Sequence, residues 1–392
     1  MALCPVSALE TGFLAEKIRF PGQKPGCEQK ASERIRDVRL PLSQYSARRI
    51  AIVKPSALGD IVHALPVLTA VRRRYPQARI TWVVNHTYEP LLNGHPDLDA
   101  TLAFDRAAAR RSPLAAVRNY VRFARVLRRQ EFDLVVDLQG LLRSSLMTLA
   151  TGAPRRVGLG CAREGATLFY TDVIPVSDPD HTHAVDRCWR VADALGVGDL
   201  PKVFHVPLHE NAREWANERL GGFPRPWLVL GVGARWSTKR WLPAHFAALV
   251  RRAQAQFGGT AVFVGSRDEA DAASATAREL RGRTLDLTGQ TTLPQLAALL
   301  ARADVMIAND TGPLHLAAAL GRPVVAPYTC TSVVENGPYG QSSGAVETRV
   351  WCKGSYLTRC PRLECMAELS PDRLWPVLEG VLERWRSHSR SA

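Results

Sequence analysis

The sequence predicts an α/β fold made of two doubly wound parallel sheets. Three observations carry this. Short apolar runs such as Ile50–Val53 and Val305–Ala308 have the continuous hydrophobicity of strands covered on both faces. Helical stretches separate such runs in regular alternation. The 392 residues are too many for one ordinary core, and Pro and Gly gather around 205–225, at Pro201, Pro207, Gly221, Gly222, Pro224 and Pro226.

Residues 1–47 mix Pro, Gly and charge without a sustained period and read as a poorly ordered extension or a misassigned start. The patterned chain begins at Arg49. In the first half, strands are expected at 50–53, 80–84, 101–104, 134–136 and 157–159, with a helix opening at Asp60. A helix over 114–130 places Leu114, Val117, Val121, Ala124 and Leu127 on one face. Arg118, Arg122, Arg125 and Arg129 line another, read as the solvated side of a buried helix. In the second half, strands are expected at 227–231, 261–264, 284–287, 305–308 and 323–326. Helices 243–257, 268–281, 293–303 and 313–320 separate them. A last helix, 371–386, follows an irregular loop that holds cysteines. The domains are therefore set at 48–210 and 211–392.

The net charge of +14 favours anionic partners: nucleic acid, an anionic membrane or a phosphorylated substrate. Residues 105–163 hold twelve Arg against four acids, so much of that charge sits in the first half. No apolar run reaches the roughly 20 residues that span a bilayer, and the start lacks a signal-peptide pattern. Both point to the cytoplasm. The eight cysteines are scattered and read as thiols. Cys352, Cys360 and Cys365 are one ligand short of a usual zinc set, with Ser355 where a fourth cysteine is expected; His181 and His183 have no third ligand nearby. No metal and no cofactor are expected.

Ligands of open α/β sheets bind beyond the carboxyl ends of the strands. Three post-strand segments are chemically informative. In Lys54-Pro55-Ser56-Ala57-Leu58-Gly59-Asp60, Asp60 serves either as a helix cap or as a general base. The Gly-x-Gly-x-x-Gly of a dinucleotide site is missing there, which argues against a nicotinamide or flavin dehydrogenase. In Asn309-Asp310-Thr311-Gly312-Pro313-Leu314-His315, Pro313 suits the first helical turn, and free amides at that start would suit a diphosphate. The bland alternative is a capped helix with His315 in the core. The run Gly231–Trp241 brings small residues and Lys239, either for phosphate or as an ordinary basic loop.

Five segments in order, IAIVKPSALGDIVHALP at 50–66, CAREGATLFY at 161–170, HAVDR at 183–187, GARWSTKRW at 233–241 and NDTGPLHLAAALGRPVV at 309–325, resemble the heptosyltransferases of glycosyltransferase family 9. The resemblance covers about residues 48–385. It implies a GT-B fold, two Rossmann-like domains facing a central cleft, and metal-independent, inverting transfer of heptose from ADP-heptose to lipid A-linked core oligosaccharide. It implies Asp60 as the base. Lys239, Asp310, Thr311, Gly312 and His315 would serve the donor diphosphate and heptose, with Glu269 for the nucleoside. Arg143 and Arg163 fall in the acceptor half. The anionic acceptor also implies peripheral contact at the cytoplasmic face of the inner membrane, and no nucleic acid. The chain departs from the family pattern at Tyr328-Thr329-Cys330-Thr331-Ser332, where many members carry Tyr-Gly-Pro-Thr. Two rival readings are a related transferase with another nucleotide sugar or acceptor, and a non-enzymatic nucleic-acid-binding protein. The altered loop adds a third, a catalytically weakened member of the family.

Overall fold

Strand β1 (Arg49–Val53) buries every side chain after its first, as a strand covered on both faces must. It lies between β2 (Arg79–Asn85) and β4 (Leu134–Asp137), with Ile50 level with Ile80 and Leu134, and both pairings are parallel. Adding β3 (Ala100–Phe104), β5 (Arg155–Leu159) and β6 (Asp172–Ile174) gives a sheet ordered β3-β2-β1-β4-β5-β6. The second sheet uses β7 (Trp227–Gly231), β8 (Thr260–Phe263), β9 (Arg283–Asp286), β10 (Val305–Ala308), β11 (Val324–Tyr328) and β12 (Ala345–Glu347). Its order, β12-β11-β10-β7-β8-β9, is the same winding seen from the other edge. Each sheet thus has one switch point, between β1 and β4 and between β7 and β10, where a ligand crevice opens.

This computed structural model describes residues 40–105 and 112–391. The expected extension lies outside the described residues up to residue 39. Its last part is packed: Leu42 is buried, and the Tyr45 hydroxyl donates to the Asp133 carbonyl at 3.2 Å. Two strands, β6 and β12, were not anticipated. Each has only three residues and lies at a sheet edge, too short to make an apolar run. The first helix, Leu58–Arg74, opens two residues before Asp60, which is its third residue.

The two sheets share one continuous set of buried side chains, including Ile52 and Trp82 from the first and Val229, Met306 and Tyr328 from the second. Between the sheets, the Leu58–Arg74 helix packs on the Gly312–Ala319 helix, and Glu210–Gly221 packs on Leu293–Arg302. The terminal helix, Pro371–Ser391, lies against Pro243–Phe257. No helix among the described residues is long and apolar enough to cross a membrane.

The Pro113–Arg128 helix corrects one expectation. Its predicted inward stripe faces solvent at Leu114, Val117 and Val121, which are 84%, 62% and 39% exposed. Leu127 is fully buried and Phe123 half-buried, packing with Val53 and Val135 of the sheet. At 100° per residue, Phe123 and Leu127 lie roughly opposite Leu114. Of the expected stripe, Leu127 does face inward; with Phe123 it turns the helix so that the rest of the stripe faces out.

Candidate active site

Polar residues gather just beyond the four central strands. Lys54 directly follows β1 and is buried. Its Nζ donates to the Leu138 carbonyl at 2.8 Å and lies 3.9 Å from Asp60 Oδ1. The other Asp60 oxygen, Oδ2, accepts the Ala57 N–H at 2.9 Å. Asp60 therefore does cap its helix, through one oxygen, while its side chain stays 47% exposed. Beyond β4, the fully buried Asp137 accepts the N–H groups of Gln139 and Gly140 at 2.9 and 3.1 Å and the Tyr170 hydroxyl at 2.8 Å. Burial pushes its carboxyl up, against the pull of these bonds. Asp137 fixes the turn whose Leu138 carbonyl anchors Lys54.

In the second half, buried Asn309 holds the loop after β7. Its amide donates to the Val232 carbonyl at 2.8 Å and its oxygen accepts the Trp241 N–H at 3.0 Å. This sets Lys239 against Asp310, Nζ to Oδ2 at 2.6 Å. Asp310 also accepts from Thr331 Oγ1 at 2.7 Å and from His315 Nε2 at 3.1 Å, with the Tyr328 hydroxyl at 3.4 Å. Burial alone would raise its carboxyl; the His315 hydrogen bond and the Lys239 charge outweigh it and hold the group well below the usual carboxylate range. The carboxylate is saturated by protein partners. Its Oδ2 meets Lys239 and Thr331, and its Oδ1 meets His315 and Tyr328.

A carboxylate only accepts, so His315 Nε2 must donate to Asp310. Its Nδ1, an acceptor in the neutral ring, lies 3.2 Å from His63 Nε2. His63 lies one turn beyond Asp60 on the same helix. A chain Lys239–Asp310–His315–His63, buried beyond the half-buried Lys239, therefore links the loops after β7 and β10 to the helix that carries Asp60. The backbones at this junction also meet closely. A Cβ on Gly59 would stand 2.8 Å from His315 Cδ2, and one on Gly312 would stand 2.6 Å from Leu58 Cβ.

The remaining expected residues are placed as follows. Thr311 precedes the Gly312–Ala319 helix and donates to the Asn309 carbonyl at 3.2 Å. Glu269 accepts the Ser266 N–H at 2.6 Å and lies against Gly233, where a Cβ would strike its carboxylate. It therefore adjoins the loop after β7. Arg143 and Arg163 are exposed on segments next to the β4 turn, where the Arg163 N–H donates to the Gly140 carbonyl at 2.8 Å. They lie outside the buried chain. Among the described residues, no group of three or more His, Cys, Asp or Glu is arranged to hold a metal. Burial and the nearby Cys352, Cys330 and Cys360 push the Cys365 thiol up to about 11.

Sequence reading missed Lys54, His63, Asn309, Tyr328 and Thr331 as site-builders. All but Tyr328 and Thr331 lay inside segments already singled out, and those two belong to the divergent loop. That loop is tied into the site: Thr329 Oγ1 donates to the Thr238 carbonyl at 2.5 Å. A cavity of about 680 Å³ borders the junction through His183, whose ring centroid is 5.3 Å from that of His63; Asp186 and Lys202 also line it.

The histidines predict a pH dependence. Burial, then His315, His183 and Lys54, hold His63 well below 6.5. Burial and His205 bring His95 to about 4. Both are neutral in the folded chain, whereas in the unfolded chain they take up protons below about 6.5. Stability is thus complete above that pH and falls as pH drops, for His95 over the window from about 6.5 to about 4. Each should cost about 1.4 kcal/mol per pH unit inside its window. Urea unfolding at two pH values, about one and two units apart from neutrality, should show the loss. His95→Gln should reduce it; an unchanged loss would remove His95 as a source.

The family model for glycosyltransferase family 9 (heptosyltransferase) matches residues 120–365. Lipopolysaccharide heptosyltransferase 1 of Pseudomonas aeruginosa is 30% identical over 85% of this chain and 98% of its own length. A glycosyl transferase family 9 structure from Veillonella parvula superposes with a TM-score of 0.76 at 23% identity, covering 88% of this chain and 99% of the other. The E. coli heptosyltransferase WaaC with ADP-2-deoxy-2-fluoro heptose superposes with a TM-score of 0.62 at 25% identity, covering 85% and 99%.

Proposed function

Because the chain belongs to glycosyltransferase family 9, we propose that it moves heptose from ADP-heptose to the inner core of lipid A-linked lipopolysaccharide, inverting the anomeric carbon. The observation that carries this reading is the convergence of Lys239 and the Gly312 helix start on the helix bearing Asp60. The half spanning 211–392 would hold the nucleotide sugar, with Glu269 toward the nucleoside. The half spanning 48–210 would receive the acceptor, with Arg143 and Arg163 toward its anionic groups.

In this mechanism the bond from the anomeric carbon to the diphosphate breaks, and negative charge grows on the leaving ADP. The Lys239 ammonium and the amides at the Gly312 helix start stabilise that charge in fixed positions. Thr311 would lie at the same start, within reach of the diphosphate. The free oxygen of Asp60 removes the proton from an acceptor hydroxyl as it attacks from the opposite face. Asp310 and His315 act by holding Lys239 and the helix start in place. The anionic lipid-linked acceptor places the enzyme peripherally at the cytoplasmic face of the inner membrane.

Donor binding is expected to need no divalent ion, since Lys239 and the helix amides supply the positive field. Chelator-treated protein should bind ADP and ADP-heptose in calorimetry, and mass spectrometry should show heptose on a core acceptor. Loss of both binding and turnover, restored only by added metal, would overturn the metal-free mechanism. Turnover with a UDP- or GDP-sugar but not with ADP-heptose would overturn the donor assignment.

A further inference from the structure

We infer that the outer face of the Pro113–Arg128 helix is a docking surface for anionic lipid bilayers. Leu114, Val117 and Val121 project outward rather than into the core. At 100° per residue they form one stripe, and Arg118, Arg122 and Arg125 lie immediately beside it, all exposed. The helix contains no Asp or Glu. Monomeric surfaces seldom expose large aliphatic side chains in a row, and here the sheet is already covered by Phe123 and Leu127.

The neighbouring elements extend the same character. The Leu142–Thr151 helix packs against this one, and it exposes Leu149; the Ala166–Phe169 turn packs on that helix in its own right and exposes Leu168 at 84%. Arginines beside an apolar stripe match a surface of acidic headgroups over acyl chains. A nucleic acid would use the charge and leave the aliphatic stripe in water; a second copy of this chain would bring like charges together. The lipid surface is the occupant that satisfies both features.

The docking surface lies outside the transfer site. Its use in bringing the enzyme to a lipid-linked acceptor rests on the function proposed above, and the two are tested separately. Full-length protein is sedimented with vesicles of phosphatidylcholine alone or mixed with phosphatidylglycerol. Binding is expected only with the acidic lipid and should weaken with salt. Leu114→Glu/Val117→Glu/Val121→Glu should lower it at least about tenfold, and Arg118→Gln/Arg122→Gln/Arg125→Gln should lower it by about fivefold per arginine. The second set needs no change in the apolar stripe, so it decides the matter if the first variant misfolds. Wild-type protein that ignores acidic vesicles, or Arg variants that bind as well as wild type, would overturn the inference. So would a wild-type dimer that the aliphatic variant splits without changing vesicle binding. Turnover on a deacylated, soluble acceptor should be the same in all three proteins. Its absence in wild type would count against the transfer reading and leave the docking result standing.

Discussion

Replacing Asp60 by Asn is expected to slow transfer by about 10²–10⁴ while donor affinity stays near wild type. The two duties of this side chain make the test sharp. The cap needs an oxygen acceptor for the Ala57 N–H, and an amide oxygen supplies one, so the melting temperature should move little. The base needs a carboxylate, because an amide does not accept the proton at neutral pH. Calorimetry with ADP and single-turnover kinetics separate binding from chemistry. Near-normal turnover with a lowered melting temperature would show a structural cap and nothing more.

Replacing Lys239 by Ala is expected to lower transfer by about 10²–10³, the usual effect of removing one preorganised donor from a developing anion. ADP affinity should fall too, by about ten- to a hundredfold, since a hydrogen bond to a charged group contributes about 1.5–3 kcal/mol. The variant also strips the buried Asp310 carboxylate of its cation, so some stability should be lost. Lys239→Ala/Asp310→Asn removes that unpaired charge. The double variant should regain melting temperature without regaining turnover. Recovery of turnover together with stability would show that Lys239 acts only by holding Asp310.

The strands at 227–231 and 305–308 were legible to the residue, because a buried parallel strand leaves an uninterrupted apolar run and ends where polarity returns. The post-strand loops followed from that, and with them Lys239 and the Asp310–His315 segment. Sequence could not show that His63 and His315, 252 residues apart, share a hydrogen bond. Nor could it show that Asp310 spends its lone pairs on protein partners. Helical periodicity identified the 113–128 helix and placed Leu127 inward, yet it missed Phe123 and turned Leu114, Val117 and Val121 the wrong way: the pattern counts apolar side chains without showing which of them reach the sheet.

The glycine contacts between Gly59 and His315 and between Gly312 and Leu58 bring two helix beginnings face to face. Each carries the equivalent of about half a positive charge. The Asp60 carboxylate offsets part of the first through its cap, and a diphosphate beside the junction would be a counter-ion to both. The nucleotide would then act as a latch as well as a leaving group. After transfer, ADP would still fasten the halves, so its departure would be the slow step that frees the enzyme for the next cycle. Added inorganic phosphate would compete for the same latch, and a monophosphate nucleotide would fasten it less firmly than ADP.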